Sequence, residues 1–171
     1  MNGDVTDWID TWRGPLIGLA LARGLDRAAA HELAADVFAE AWLGRERFRG
    51  DFDDERAFGA WLGGIARNLH RAGQRARTHL PLDDVTVARQ PTDEASSDER
   101  ANENTDVRAA IERLPEAERE VVRMFYLEET STRRVAALLG LTERAVEGRL
   151  RRARERLAGW LAPAADARAA N

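Results

Sequence analysis

The sequence predicts an all-α protein: two small helical domains, residues 1–80 and 107–162, joined by a flexible acidic linker over 81–106 and followed by a short tail, 163–171. Three observations carry this. Apolar residues recur at i, i+3, i+4 and i+7 in several stretches, the spacing of one helix face. No stretch alternates polar and apolar residues long enough to make a strand. Charge divides unevenly along the 171 residues, whose net charge is −4. Residues 1–80 hold 11 Arg and 12 acids, residues 81–107 hold 2 Arg and 8 acids, and residues 108–171 hold 13 Arg and 10 acids. The acidity therefore sits in the middle, in a run with two Pro and no sustained apolar period, which cannot bury enough surface to fold alone.

The first domain opens with Val5, Trp8, Ile9 and Trp12 on one helix face. Gly14-Pro15 is expected to punctuate that helix, with Leu16 to Ala22 continuing in helical style up to Gly24. Ala30, Leu33, Ala34, Val37, Phe38, Ala41 and Trp42 then outline a second helix ending at Gly44. A polar loop, Arg45 to Asp51, leads to a third stripe of Phe58, Trp61, Leu62, Ile65 and Leu69. The second half of that helix changes character. Arg67, Arg71 and Arg75 lie four apart on one face with no acid between them. Such a row suits a phosphate backbone, and equally suits a solvated helix end whose cations favour the C-terminal dipole.

In the second domain, Val107, Ile111 and Leu114 suggest a helix reaching Pro115, and Pro115 opens another with Val121, Val122 and Phe125. Thr130-Ser131-Thr132 offers an N-cap for Arg133 to Leu139. Gly140 supplies a left-handed residue, and Thr142 caps a last helix from Glu143 to about Trp160. A short helix, a turn containing glycine and a longer basic helix is the helix-turn-helix pattern, whose second helix enters the DNA major groove. All 26 basic residues are Arg, the side chain suited to phosphates and base edges.

Other chemistries find little support. The chain has no cysteine, so disulfides and thiolate metal sites are excluded. His31, His70 and His79 are scattered without metal-ligand spacing, and Gly63-Gly64 lies inside a helical pattern rather than in a phosphate loop. Asp53-Asp54-Glu55 reads as a loop and helix start, not a catalytic cluster. The expectation is a non-enzyme without cofactor, metal or small-molecule substrate. No apolar run approaches ~18 residues and no signal peptide is evident, so no membrane insertion and a cytoplasmic location are expected.

Two stretches resemble the extracytoplasmic-function group of the sigma-70 family. Leu114-Pro115-Glu116, Arg119-Glu120-Val121-Val122, Val135 to Leu141 and Val146 to Leu157 are similar to region 4; Glu32 to Trp42, Phe48-Arg49-Gly50-Asp51 and Phe58 to Asn68 are similar to region 2. The resemblance implies a transcription initiation factor whose partners are core RNA polymerase, promoter DNA and an anti-sigma factor. It places Glu32, Leu33, Asp36 and Phe38 at or beside the polymerase clamp contact. It assigns Phe48, Arg49, Gly50, Asp51 and Asn68, with Arg67, Arg71 and Arg75, to the unpaired −10 strand. Arg133, Arg134, Arg144, Glu147, Gly148, Arg149, Arg151 and Arg152 fall to −35 recognition.

The sequence departs from the family at Ala35, where an amide is usual, and at Arg134, where an acid commonly closes a capping box. Arg133 and Arg134 oppose the dipole at a helix N-terminus, which suggests that one or both reach a phosphate. Glu147-Gly148 stands where a basic residue and Ser are common, and Glu can accept from cytosine N4. Two other functions fit the helix-turn-helix: a DNA-binding regulator that does not engage polymerase, and a degenerate sigma-like protein acting through a regulatory partner.

Overall fold

The computed structural model describes residues 5–79 and 98–169, and among them every regular element is helical. Helix α1, Val5–Ala22, buries Trp8, Trp12, Leu16, Leu19 and Ala20. It runs straight through Pro15, where the sequence suggested a break. The uninterrupted apolar stripe on either side outweighs the single backbone bond that proline removes. Helix α2, Arg27–Gly44, begins on Asp26, whose carboxylate accepts from Ala29 N at 2.8 Å. A 3-10 turn, Arg45–Arg47, ends it, and α3 spans Glu55–His79. Asp54 caps α3 by accepting from the N–H groups of Arg56 and Ala57.

Helix α4, Asp98–Glu112, starts inside the stretch expected to be linker, while residues 80–97 lie outside the described part. Helix α5, Glu116–Val122, passes into a π-helical turn, Arg123–Leu127, that the sequence pattern did not reveal. Helix α6, Thr132–Leu139, is capped by Ser131 and closed by Gly140 in the left-handed region (φ 67°). Leu141 N donates to Ala136 O and Gly140 N to Ala137 O, the paired bonds of a Schellman turn. Thr142 then accepts from Ala145 N and opens α7, Glu143–Ala169.

The two helical groups are not held apart. One continuous apolar core joins Trp8, Trp12, Phe58 and Leu62 to Val121, Met124, Val135 and Leu138, all of them fully buried. Helix α6 lies along the first half of α3, and two glycines make the approach possible. A Cβ at Gly63 would fall under 3.0 Å from the Leu138 carbonyl, and one at Gly59 would strike both Trp12 and Ala137. On the other flank, the π-helical turn packs on α1, with Glu128 against Gly18. Arg123 donates to Leu21 O at 3.1 Å and Arg23 pairs with Glu120 at 3.2 Å.

Candidate nucleic-acid interface

Helix α3 projects its Arg row as expected. Arg71 and Arg75 are exposed, Arg67 is half-buried and Asn68 is exposed. Among the described residues, no acid pairs with any of the three arginines. Three uncompensated cations at successive turns destabilise an isolated helix slightly. Here that surface is left open at the end of α3 farthest from the α6 contact.

The loop before α3 is built differently from the sequence expectation. Phe48 does not stand free to stack on a base. Its ring stacks on Trp61 (4.8 Å between centroids, 26° between planes) and packs edge-on against Phe58. Trp8 and Phe52 complete this aromatic cluster, stacked at 5.2 Å. Gly50 lies against this ring, and a Cβ there would oblige the Phe48 ring to shift. Asp51 accepts from Asp53 N at 2.9 Å and so forms the turn into α3. Phe48 is thus half-buried in the cluster, while Arg49, Gly50 and Asp51 are exposed.

On α2 the four predicted polymerase contacts divide by face. Glu32 and Asp36 are exposed, whereas Leu33 and Phe38 are buried at 8% and 7% exposure and offer little side-chain surface to solvent. Helical spacing turns them toward α1 and α3. The solvent face instead continues from Glu32 and Asp36 through Glu40 to Leu43, which is 72% exposed. Trp42 beside it is 41% exposed and carries the Arg45 guanidinium 4.3 Å above its ring.

The helix-turn-helix sorts its arginines more sharply. Arg144, Glu147 and Arg151 are exposed and, with the half-buried Gly148, make one stripe along α7 at i, i+3, i+4 and i+7. Arg149 is half-buried beside it. Among the described residues, Arg151 has only an i, i+4 contact to Glu155 at 3.6 Å. Arg152 turns the other way. Its Nε lies 3.4 Å from Glu118 of α5, which is also held by Arg156 at 3.1 Å. Glu118 is buried to 6% exposure, and an acid in that position requires cations around it. Arg152 is thus first an internal counterion. Arg154 bonds the exposed Tyr126 hydroxyl at 2.6 Å.

Arg133 and Arg134 are compensated across the domain boundary. Both pair with Glu55 at the start of α3, each Nε at 2.8 Å from a different carboxylate oxygen. The sequence showed two cations opposing a helix dipole and suggested phosphate; the structure supplies an acid 79 positions away from Arg134. Glu55, Gly59, Gly63 and Glu118 were not among the expected functional residues. For the glycines there was one signal, their place inside an apolar helical stripe where Gly costs about 1 kcal/mol relative to Ala. Among the described residues no cluster of His, Asp and Glu could hold a metal, and no helix is long and apolar enough to cross a membrane.

Both helical regions match known families. Residues 8–78 match the family model for sigma-70 region 2, and residues 105–157 that for sigma-70, region 4. The chain is similar to the ECF RNA polymerase sigma factor RpoE of Cereibacter sphaeroides, 33% identical over 142 residues covering 82% of this chain and 76% of that protein. It is 31% identical to the RNA polymerase sigma factor CnrH of Cupriavidus metallidurans over 161 residues, 84% of this chain and 82% of that one. A probable RNA polymerase sigma factor of Xanthomonas campestris, RfaY, is 35% identical over 143 residues; the match covers 80% of this chain but only 35% of that longer protein. Among solved structures, CnrH in complex with the cytosolic domain of CnrY shares the fold at TM-score 0.55 and 23% identity, covering 94% of this chain and 91% of that one. RpoE bound to the anti-sigma factor NepR, from Bartonella quintana, does so at TM-score 0.52 and 23% identity, covering 91% and 95%.

Proposed function

The chain belongs to the extracytoplasmic-function group of the sigma-70 family, and from that membership we propose that it directs core RNA polymerase to promoters through the surfaces described above. The observation that carries this is positional. The cation row of α3 falls inside the region 2 match and the exposed stripe of α7 inside the region 4 match. Arg67, Arg71 and Arg75 follow the backbone of the unpaired −10 strand, where cations and accessible polar groups are what single strands require. Asn68 and Arg49 lie beside that path. Arg144, Glu147, Gly148, Arg149 and Arg151 face the −35 major groove, and Glu32, Asp36 and the neighbouring Leu43 meet the polymerase. The action is binding and positioning rather than catalysis, in the cytoplasm where polymerase resides. An anti-sigma factor is the regulatory partner this membership suggests, as in the complex with NepR.

Run-off transcription over a promoter library, with purified core polymerase added, tests this. Specific transcripts are expected only when chain and core are both present, and are expected to fail with Asn68→Ala or Arg149→Ala. Robust −35 duplex binding together with no association with core polymerase would replace this reading by a free-standing DNA-binding regulator.

A further inference from the structure

In the second region the acids Glu112, Glu118, Glu120 and Glu155 are each answered by an arginine. Glu147 is not. It is exposed on α7, and among the described residues no cation pairs with it. Arg151 lies four positions on, the spacing and order that favour an acid–arginine pair on a helix, yet its guanidinium turns to Glu155. Glu143 sits in the first turn of α7, where the helix dipole stabilises an acid; Glu147 is past that turn. It stands instead in the exposed stripe with Arg144 and Arg151, in the first half of the second helix of the helix-turn-helix. An acid on a surface that meets phosphates is repelled by them, unless it finds a donor among the bases.

Gly148 beside it has no cause inside the fold. A Cβ there would meet only Arg152 Nη1, at 3.6 Å, an ordinary contact. Gly59 and Gly63 differ, since a Cβ at either would strike a neighbouring helix. Within a helix a glycine costs about 1 kcal/mol relative to Ala, and nothing in the packing of α7 offsets it. The missing side chain leaves a notch in the exposed stripe next to Glu147. A carboxylate reaches less far than a guanidinium, so it touches base edges only where the helix backbone approaches closely, and glycine permits that approach.

We propose that Glu147 selects a cytosine within the −35 element, accepting from its N4 amino group, and that Gly148 is the clearance that brings the carboxylate within reach. This rests on the reading of α7 as the −35 reader given above. An ionised carboxylate only accepts hydrogen bonds. In the major groove the donors on base edges are cytosine N4 and adenine N6, while guanine and thymine present acceptors. Adenine also carries the N7 acceptor beside N6, which suits an amide side chain and repels a carboxylate. Cytosine is the base left. Arg144 and Arg151 flank Glu147 on the same face, separated by about 10.5 Å along the axis, or about three base-pair steps. Glu147 therefore reads an interior position of the element rather than its edge.

Holoenzyme assembled from the full chain and core polymerase, run on barcoded promoters randomised over the −35 element, tests this by sequencing the transcripts. The parent is expected to favour one orientation of a G·C pair about fivefold to tenfold over the other pairs at one interior position. Glu147→Gln keeps the shape and adds a donor. It is expected to move that preference to an A·T pair, as an amide pairs with adenine N6 and N7, and to leave the other positions unchanged. Glu147→Ala is expected to erase the preference at that position alone. Gly148→Ala is expected to reduce the cytosine discrimination about threefold. Since this last change favours α7 as a helix, a loss there reports clearance and not unfolding.

A parent with −35 preferences but none for cytosine overturns the proposal. So does a Glu147→Ala variant that raises output from every template equally, since only a repelling charge was then removed. Undiminished discrimination in Gly148→Ala overturns the clearance. Transcription indifferent to every −35 position, in the parent and in Arg144→Ala alike, removes the −35 reading of α7 and this proposal with it.

Discussion

The arginines of α3 and those of the helix-turn-helix look alike in sequence and differ in the folded chain. Both sets recur at helical spacing, and both suggest phosphate. Arg67, Arg71 and Arg75 keep that freedom, with no acidic partner among the described residues. Arg133, Arg134, Arg152 and Arg156 are each answered by an acid, Glu55 for the first two and Glu118 for the others. A cation row therefore identifies a DNA surface only after its counterions are located. In this chain those counterions come from other helices. Among the described residues, the α3 row has no acidic partner, whereas Arg133 and Arg134 at the start of α6 are engaged internally and the α7 stripe carries one ion pair, the i, i+4 contact of Arg151 to Glu155.

The largest expected effect would break this contrast if it failed. Replacing Arg67, Arg71 and Arg75 together with Ala should weaken holoenzyme binding to a single-stranded −10 oligonucleotide roughly fiftyfold at physiological salt. It should also reduce the salt slope by about 2, as expected for three lost single-strand phosphate contacts. An unchanged slope in a salt titration would show that the row is only solvated. Next in size, Arg144→Ala should weaken −35 duplex binding about tenfold, the value of one good base or phosphate contact, as read by fluorescence anisotropy.

Smaller effects sharpen the other side of the comparison. Glu118→Ala should destabilise the protein by about 1 kcal/mol in urea unfolding. The figure is modest because its partners Arg152 and Arg156 are about half exposed and regain water. Smallest of all, Arg152→Ala should change −35 duplex affinity by less than about twofold while lowering the urea midpoint, since this residue faces Glu118 rather than the groove. A tenfold loss of DNA binding there, at unchanged stability, would return Arg152 to the recognition surface.

Within single helices the sequence was a reliable guide. The α2 and α3 stripes, the Gly140 turn and the Ser131 and Thr142 caps all rest on interactions within four or five residues. Local periodicity and capping chemistry report these directly. Expectations weakened where a residue could serve two neighbours. Leu33 and Phe38 lie in the helix expected to meet polymerase, yet their own positions turn inward. Phe48 and Gly50 look like ligand residues by motif and act as ring and clearance in an aromatic cluster. The π-helical turn at Arg123–Leu127 left no trace in the apolar pattern, because it shifts register by one residue inside a run that is apolar on either reading.

By itself, then, the sequence determined the helices, the helix-turn-helix and the family, because each depends on spacing along one chain segment. Only the tertiary structure decided that the two regions share a core, that Glu55 answers Arg133 and Arg134, and that Glu118 answers Arg152. Those are contacts between residues tens of positions apart. No local pattern encodes them, since an acid and a base meet only after apolar burial has brought their helices together. Gly59 and Gly63 record that meeting in the chain, and what they record becomes legible only with α6 in place against them.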